Sequence, residues 1–214
     1  ALDDTQVMLA ITEAKMFNFL VDDVDAAQTK PKVMRDAMQE AAWGLSDVAD
    51  VYLAALLEAG VQSANQLSAA TVGTGASDAD AYEILIDLGV ALSDQNVPKG
   101  GRWCVIPPWY EGMLLKDPRF VSFGTQGNVD RLKNGQIGRG AGFTIAVSNN
   151  VPVAGSVYTV IAGYKGAATF AQQISKVESF RPERRFADAV KGLDLYGAKV
   201  TRPYGLAYCK ATQA

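Results

Sequence analysis

The sequence predicts an α+β fold made of two units. A helical periodicity runs from Pro31 to Gly60, far longer than an average helix, and strand-like segments lie towards both ends of the chain. Helices and strands alternate between these parts. We therefore expect one unit of residues 1–65 and 164–214, in which the long helix lies on a sheet, and an inserted α/β unit of residues 66–163.

Composition narrows the classes of function. The 214 residues are 49% hydrophobic, which is enough to bury a core, and the net charge of −3 provides no basic face for gripping a nucleic-acid duplex. The chain has no histidine, which excludes Ser-His-Asp and Cys-His catalytic sites and argues against zinc or copper sites. We predict no catalytic, cofactor-binding or metal-binding residue.

The two cysteines and the hydropathy lead to two further expectations. Cys104 and Cys209 each lie in an apolar, strand-like run, which predicts buried free thiols rather than a disulfide. No apolar run is long enough to cross a bilayer, so no membrane partner is expected and the simplest location is the cytoplasm.

The first predicted element is a strand from Val7 to Val21, where odd positions are apolar at both ends. Asp22, Asp23 and Asp25 follow and raise the question of a bound cation. A calcium loop counted from Asp23 would need glycine and glutamate at its sixth and twelfth positions, where the sequence has glutamine and methionine. We interpret the carboxylates as a turn that favours the positive end of the next helix.

The helix from Pro31 to Gly60 is the longest predicted element, at roughly 40 Å. Proline suits a first helical turn, and Gly60 can adopt the left-handed conformation that ends a helix. Apolar residues spaced by three and four predict a buried stripe of Met34, Met38, Ala41, Leu45, Val48, Tyr52 and Leu56. The exposed candidates on the outer side are Arg35, Gln39, Asp50 and Glu58.

The inserted unit begins after a polar surface connection that ends near Gly75. Ser77 and Asp80 resemble a capping box, and Asn96 and Pro98 end the helix that follows. The buried side of this helix is predicted to be Ala81, Ile84, Leu85, Leu88 and Leu92. Further elements are strands at 103–106, 143–147 and 157–162 and short helices at 109–115 and 128–132.

Three glycines between Ile137 and Phe143 invite a phosphate-loop interpretation. A dinucleotide-binding loop follows a strand and opens a helix, whereas these glycines precede a strand-like run. We therefore predict a β-turn or close backbone packing here.

The carboxyl-terminal part is rich in strand-like runs at 169–180, 193–200 and 204–209, which could pair with the first strand. Between the first two lies the charged segment Arg181 to Arg185. It is either a solvated turn or an ion-pair site between subunits, since arginine is favoured at interfaces.

Several segments in this order resemble the major capsid (coat) proteins of tailed bacteriophages and prophages over nearly the whole chain. They are FLVDDVDAAQ at 19–28, Asn96 to Pro98 followed by RWCVIP at 102–107, LLKDPRF at 114–120, RLKNGQIG at 131–138 leading into GFTI at 142–145, and FADAVKGLDLYGAKVTRP at 186–203. The family's amino-terminal arm and extended loop would precede Val7 and are absent from these residues, so we expect a trimmed chain.

The resemblance implies the Hong Kong phage capsid fold. The unit of residues 1–65 and 164–214 would be the peripheral domain with its spine helix, and residues 66–163 the axial domain. The protein would be a non-enzymatic virion component that forms pentamers and hexamers of an icosahedral shell after assembly in the host cytoplasm. Scaffolding protein and portal would be further partners, with packaged DNA met only indirectly. Subunit contacts are expected at Arg181, Glu183, Arg184, Arg185, Lys199 and Arg202.

Two alternatives stay open. One is a small α/β cytoplasmic enzyme, for which Asp22, Asp23, Asp25 and Lys99 are the only candidate residues. The other is the shell protein of an encapsulin-like compartment, which would share the capsid fold.

Overall fold

The computed structural model describes residues 7–22, 33–75, 78–117, 138–183 and 187–214. The chain divides into two compact units, the first formed by Ala1–Tyr52 and Phe170–Lys199 and the second by Leu53–Thr169 and Val200–Ala214. The sequence-based boundaries at 65/66 and 163/164 therefore differ from the boundaries of these units.

The described helices and strands are numbered here in chain order. They are β1 (Glu13–Asp22), α1 (Val33–Ala59), β2 (Gln66–Val72), α2 (Ala81–Asp94), β3 (Arg102–Ile106), α3 (Pro108–Lys116), β4 (Arg139–Gly140), β5 (Phe143–Val147), β6 (Val153–Ala154), β7 (Val157–Tyr164), β8 (Ala168–Phe180), β9 (Ala187–Val200) and β10 (Leu206–Gln213). The predicted helix at 128–132 lies outside the described residues.

The sheet of the first unit has three strands in the order β1-β9-β8, with β1 antiparallel to β9. The predicted first strand is confirmed from Glu13 onwards, but residues 7–12 have no regular structure. Near Gly197 the carbonyl of Ala10 approaches so closely that no side chain would fit there. Lys199 Nζ donates to the Met8 carbonyl at 2.8 Å, so a side chain rather than a strand ladder holds this segment.

The long helix is confirmed, with 27 residues in α1. The prediction for Gly60 is wrong: Gly60 is not among the residues with positive φ, and a Cβ there would collide with Val200. Glycine is needed at this helix end for close packing rather than for a left-handed turn. Pro31 lies outside the described residues.

The buried stripe of α1 was predicted in part. Ala41, Leu45, Tyr52 and Leu56 are partly buried, whereas Met38 and Val48 are exposed. Ala49, which the stripe did not include, is buried in place of Val48. Arg35, Gln39 and Asp50 are exposed as expected.

Glu58 is an exception to the predicted outer side of α1. Its carboxylate accepts a hydrogen bond from Thr159 at 3.1 Å and pairs with Lys210 Nζ at 3.6 Å. It therefore faces strands of its own unit and is only partly exposed.

The sheet of the second unit follows the order β2-β10-β7-β3-β5-β4, with β6 paired to β7. The expectation that residues 204–209 pair with the first strand is wrong, because β10 lies between β2, to which it is parallel, and β7, to which it is antiparallel. Leu206, Ala207, Cys209 and Ala211 are all buried. A strand that is apolar on both faces belongs in the middle of a covered sheet.

Residues 66–72 were predicted as part of a surface connection, and this is also wrong. They form β2 at the edge of the second sheet. Most side chains of β2 are exposed, and its small polar residues show no alternation. The strand forms because its backbone pairs with β10. This is a tertiary interaction, which the strand propensity of residues 66–72 does not predict.

The core of the second unit is formed by α2 and α3 on this sheet. The predicted face of α2 is confirmed, since Ala81, Ile84, Leu85, Leu88 and Leu92 are all buried. The residue preceding the helix is Asp80, and Ser77 lies outside the described residues. At the other end, Asn96 has a φ of 57° and ends the helix as expected.

The glycine-rich segment is a tight turn. Gly140 pairs with Phe143 across a two-residue connection in which Ala141 and Gly142 have φ values of 49° and 82°. Two consecutive positive φ angles define a hairpin turn whose twist suits the flanking strands. The β-turn interpretation is confirmed for residues 138–143.

Candidate assembly surface

Apolar burial differs between the two units. Both clusters of buried apolar side chains in the described part of the chain belong to the second unit. The buried apolar residues described in the first unit are Ala49, Ala187, Ala189, Val190 and Tyr196. Large apolar side chains in this unit are instead exposed, and exposed apolar patches are typical of surfaces that bind other proteins.

One face of the three-stranded sheet packs against α1. Tyr196 is fully buried there, and its ring lies 5.4 Å from that of Tyr52 in an edge-to-face arrangement. Asp194 shares this face and is also buried, and the amide of Gln172 donates to its two oxygens at 2.8 and 2.9 Å. Burial raises the pKa of Tyr196, whose hydroxyl has no hydrogen-bond partner among the described residues.

The opposite face of this sheet exposes apolar side chains within the described part of the chain. Met16 is 77% exposed and lies opposite Leu193, and Leu20 is also exposed. A trough of about 350 Å³ runs along this face, lined by Met16, Leu193, Lys176, Glu178 and Lys191 among others. This surface combines apolar side chains with charged ones, as protein interfaces do.

Three charged residues border the trough. Glu178 binds Lys176 at 2.5 Å and Lys191 at 3.1 Å, so two ammonium groups share one carboxylate. The hydrogen bond from Lys176 is the main reason why the pKa of Glu178 is lowered, and the same bond raises the pKa of Lys176. These groups are open to solvent, so their pairing contributes little to folding and leaves one positive charge for a partner.

The outer side of α1 is the second uncovered apolar surface. Trp43 is 68% exposed in the middle of the helix, and Val48 and Val51 are exposed nearby. Trp43 lies outside the predicted buried stripe, so its position in the sequence already indicated an outward-facing tryptophan. Exposed tryptophan is uncommon outside interfaces.

The residues predicted at subunit interfaces are spread over both units. In the first unit, Arg181 and Glu183 follow β8, and Lys199 lies near the far end of the 14-residue β9. At about 3.3 Å per residue, β9 separates these positions by roughly 40 Å. Arg202 is exposed in the second unit, and Arg184 and Arg185 lie outside the described residues.

The candidate residues of the enzyme alternative are divided between the two units. Asp22 ends β1 in the first unit and Lys99 belongs to the second, while Asp23 and Asp25 lie outside the described residues. A cavity of about 320 Å³ beside Lys99 is also lined by Arg102. The Arg102 guanidinium donates there to the carbonyls of Gly89, Val97 and Pro98.

No group of three or more histidine, cysteine, aspartate or glutamate residues in the described ranges could hold a metal ion. None of the helices described above is both long and apolar enough to span a membrane.

Comparisons with known proteins agree on one family. A family model of phage capsid proteins matches residues 5–209. The structure from Mycobacterium phage Che8 is 29% identical and superposes with a TM-score of 0.71, covering 98% of this chain and 74% of that one. No curated protein sequence matches the chain significantly.

More distant structures are similar in fold alone. The capsid structure of cyanophage P-SCSP1u is 17% identical, with a TM-score of 0.76 over 98% of this chain and 78% of that one. An encapsulin complex from Synechococcus elongatus is 11% identical, with a TM-score of 0.66 over 95% and 74% of the two chains. The Hong Kong phage capsid-like α+β fold is therefore confirmed, and this chain belongs to the phage capsid protein family.

Proposed function

We propose that the chain is the repeating subunit of an icosahedral shell that encloses DNA, and that it occupies the shell as pentamers and hexamers. The observation that carries this proposal is the first unit, which exposes apolar side chains both on its sheet and on α1. A subunit with two different uncovered surfaces is suited to heterologous contacts, which repeat around a ring and close it.

Within the shell, we infer that the first unit is the peripheral domain and that the second contains the axial domain predicted over residues 66–163. The charged segment Arg181 to Arg185, with Glu183, Lys199 and Arg202, would contact neighbouring subunits. Arginine favours such positions because its planar guanidinium pairs with carboxylates through two hydrogen bonds.

Packaged DNA, scaffolding protein and portal are the further partners that we propose, from the net charge of the chain and from its family. A net charge of −3 is compatible with an inner shell surface that contacts packaged DNA without binding it tightly. Scaffolding protein and portal would act with the subunit during assembly in the host cytoplasm, and the finished shell would be part of the virion. The chain would act without catalysis or a cofactor.

Charge reversal in the arginine segment tests the role of subunit contacts. Expression of the full-length coat protein with Arg184→Glu and Arg185→Glu should give at least tenfold fewer particles by electron microscopy, because like charges would meet at the interface. The circular dichroism spectrum and thermal midpoint of the subunit should stay unchanged. A normal particle yield would instead mean that the segment is a solvated turn.

The contents of the particles separate a virus shell from the encapsulin-like alternative, which shares the fold. Particles purified from infected or induced cells should contain nuclease-protected DNA. A protein cargo without DNA would contradict the proposed function and favour the compartment.

A further inference from the structure

The trough on the sheet of the first unit is a mainly apolar groove. Met16 is 77% exposed beside it, and Leu193 of β9 lies opposite Met16. Leu20 is exposed further along the same face of β1, because residues four apart in a strand share a face. A volume of about 350 Å³ lies in the range of clefts that hold whole small molecules, so a large aromatic side chain fits into the trough.

Lysines border this apolar groove. Lys176 and Lys191 share the carboxylate of Glu178, so the charged residues of the lining carry one more positive than negative charge. Both ammonium groups remain open to solvent, and each has three N–H donors. A surface that complements the trough therefore has an apolar centre with carboxylates beside it.

The outer side of α1 has both features. Asp36, Glu40, Trp43 and Asp50 follow one another at spacings of four, three and seven residues, which places them on one face of the helix. We call these four residues the α1 outer face. Trp43 within it is 68% exposed, and tryptophan is enriched among the residues that carry most of the binding energy at protein interfaces.

The charges of the α1 outer face are of one sign. Asp36, Glu40 and Asp50 are exposed and make no ion pair with any residue in the described ranges. Carboxylates four residues apart on a helix, such as Asp36 and Glu40, repel each other. Lysines brought close to this face would relieve that repulsion and pair with the carboxylates.

The two surfaces of one chain face away from each other. On its inner side α1 packs against the sheet face that carries Tyr196, whose ring contacts Tyr52. Trp43 precedes Tyr52 by nine residues, roughly two and a half helical turns, so the two side chains lie on opposite sides of α1. The α1 outer face therefore points away from the sheet of its own chain and can reach a trough only on another copy.

The order of residues along α1 suits this contact. Glu40 precedes Trp43 by three residues and Asp50 follows it by seven, so a carboxylate lies on each side of the indole. One of them would reach the lysines of the trough whichever way the helix crosses the strands. The ammonium groups would also lie close to the indole, whose ring face attracts cations. Lys191 already makes such a contact within its own chain, 5.5 Å from the centre of the Phe180 ring.

We propose that the trough of one subunit binds the α1 outer face of a second copy. The indole of Trp43 then lies between Met16 and Leu193. The carboxylates beside the indole pair with Lys176 and Lys191. The proposal rests on the proposed function as a self-assembling subunit. Trough and helix face are different surfaces, so the contact is heterologous and can repeat from subunit to subunit.

Site-specific crosslinking tests whether the two surfaces meet and which chains supply them. Trp43 is replaced by photoreactive benzoylphenylalanine in the full-length protein, and equal amounts of ¹⁴N- and ¹⁵N-labelled chains are mixed and assembled before irradiation. Mass spectrometry should find crosslinks from position 43 to peptides that contain Met16 or Leu193, joining light with heavy chains. Crosslinks confined to a single isotope, or directed elsewhere, would overturn the proposal.

The same probe at Val90 is the matched control. Val90 is an apolar residue of α2 in the second unit and is 51% exposed, so it is accessible but lies outside both surfaces. It should give no crosslink to the peptides of the trough. Equal crosslinking to the trough from Val90 and from position 43 would overturn the specific contact.

A charge exchange tests the chemistry of the contact. Lys176→Glu with Lys191→Glu should reduce the yield of the crosslink at least tenfold, because carboxylates would then meet carboxylates. Adding Glu40→Lys with Asp50→Lys should restore most of the yield. Failure of the exchange to restore the crosslink, in variants with normal circular dichroism, would count against the pairing.

A second pair of lysines controls for net charge. Lys99→Glu with Lys165→Glu changes the charge of the chain by the same amount, at exposed positions of the second unit. This variant should leave the yield of the crosslink unchanged. An equal loss in both variants would mean that net charge, rather than the trough, controls the association.

The contact and the proposed function can fail separately. Shells that form normally without this crosslink would overturn the contact and leave the proposed function standing. Light-to-heavy crosslinks in preparations that never form shells would support the contact and contradict the proposed function.

Discussion

At the scale of single residues, the core of the second unit holds two thiols beside a buried tyrosine. Cys104 and Cys209 are buried and unbridged, as the apolar runs around them predicted. They face Ala162 and Val160 on opposite sides of β7, so a whole strand lies between them and no disulfide can form. Burial raises the pKa of both thiols, and that of Cys209 to about 11.

These thiols should be inert in the folded subunit. Because the thiolate is the reactive form, we expect no reaction with a thiol reagent at pH 8 until a denaturant unfolds the chain, and then two thiols per chain. Since the pKa is higher in the folded than in the unfolded state, Cys209 lowers the stability only as the pH rises from about 9 to about 11. Unfolding curves of the wild type and Cys209→Ala across that range would measure this fall; a prompt reaction at pH 8 would contradict the burial.

At the scale of elements, the end of α2 shows how local signals and tertiary contacts combine. Asn96 N–H donates to the Ser93 carbonyl at 2.9 Å and Val97 N–H to the Leu92 carbonyl at 3.1 Å, which is the Schellman pattern around a left-handed residue. Asn96 and Pro98 predicted this helix end from the sequence. No local pattern predicted that Arg102, in the next strand, would cap the same end.

Arg102 is 6% exposed, and its guanidinium donates to three carbonyls and to the hydroxyl of Ser93. Burial lowers its pKa, yet arginine stays charged at any ordinary pH. The side chain therefore ties the end of α2 to the start of β3. Without a nearby carboxylate in the sequence, no pattern pointed to this role.

Removing the N–H donors of the Arg102 guanidinium should lower the stability of the folded chain. Arg102→Met keeps much of the side-chain length but leaves buried carbonyls unpaired, so the free energy of unfolding in urea should fall by about 2–4 kcal/mol. Lys99→Met, at an exposed neighbouring position, is the control and should change it by less than about 0.5 kcal/mol. Equal effects of the two substitutions would show that the guanidinium contacts are weak.

At the scale of the whole molecule, the two units should differ in local stability. Few apolar side chains are buried in the first unit, whereas the second has the larger core. Local opening costs least where buried apolar contacts are few. We expect amide hydrogens of β1 and β9 to exchange faster than those of β3 and β7 in the unassembled subunit.

Assembly should change that difference. Once neighbours cover the first unit, exchange in β1 and β9 should slow by at least about tenfold in shells, because opening would then also break subunit contacts. Hydrogen exchange with mass spectrometry of subunits and particles measures both states. Unchanged exchange on assembly would mean that these surfaces stay uncovered.

The elements that could be predicted from the sequence are those that depend on interactions between residues close together in the chain. Periodicity identified α1, α2 and β5, because the spacing of their apolar residues is a local pattern. It missed β2 and misassigned β10, because both depend on partners far away in the chain. The interface prediction rested on charge and selected residues such as Lys199 and Arg202, and it stays a prediction. The exposure of Trp43 became visible only in the folded unit.

The position of β10 also bears on how the subunit folds. It joins the edge strand β2 to β7 in the second sheet, although roughly 130 residues separate it from β2, and such distant pairings slow folding. Among the described strands, β10 is the last to leave the ribosome, and until then β2 has no neighbour. A nascent chain therefore cannot complete this sheet until β10 has been synthesised, and the edge of β2 that β10 will cover stays unpaired until then.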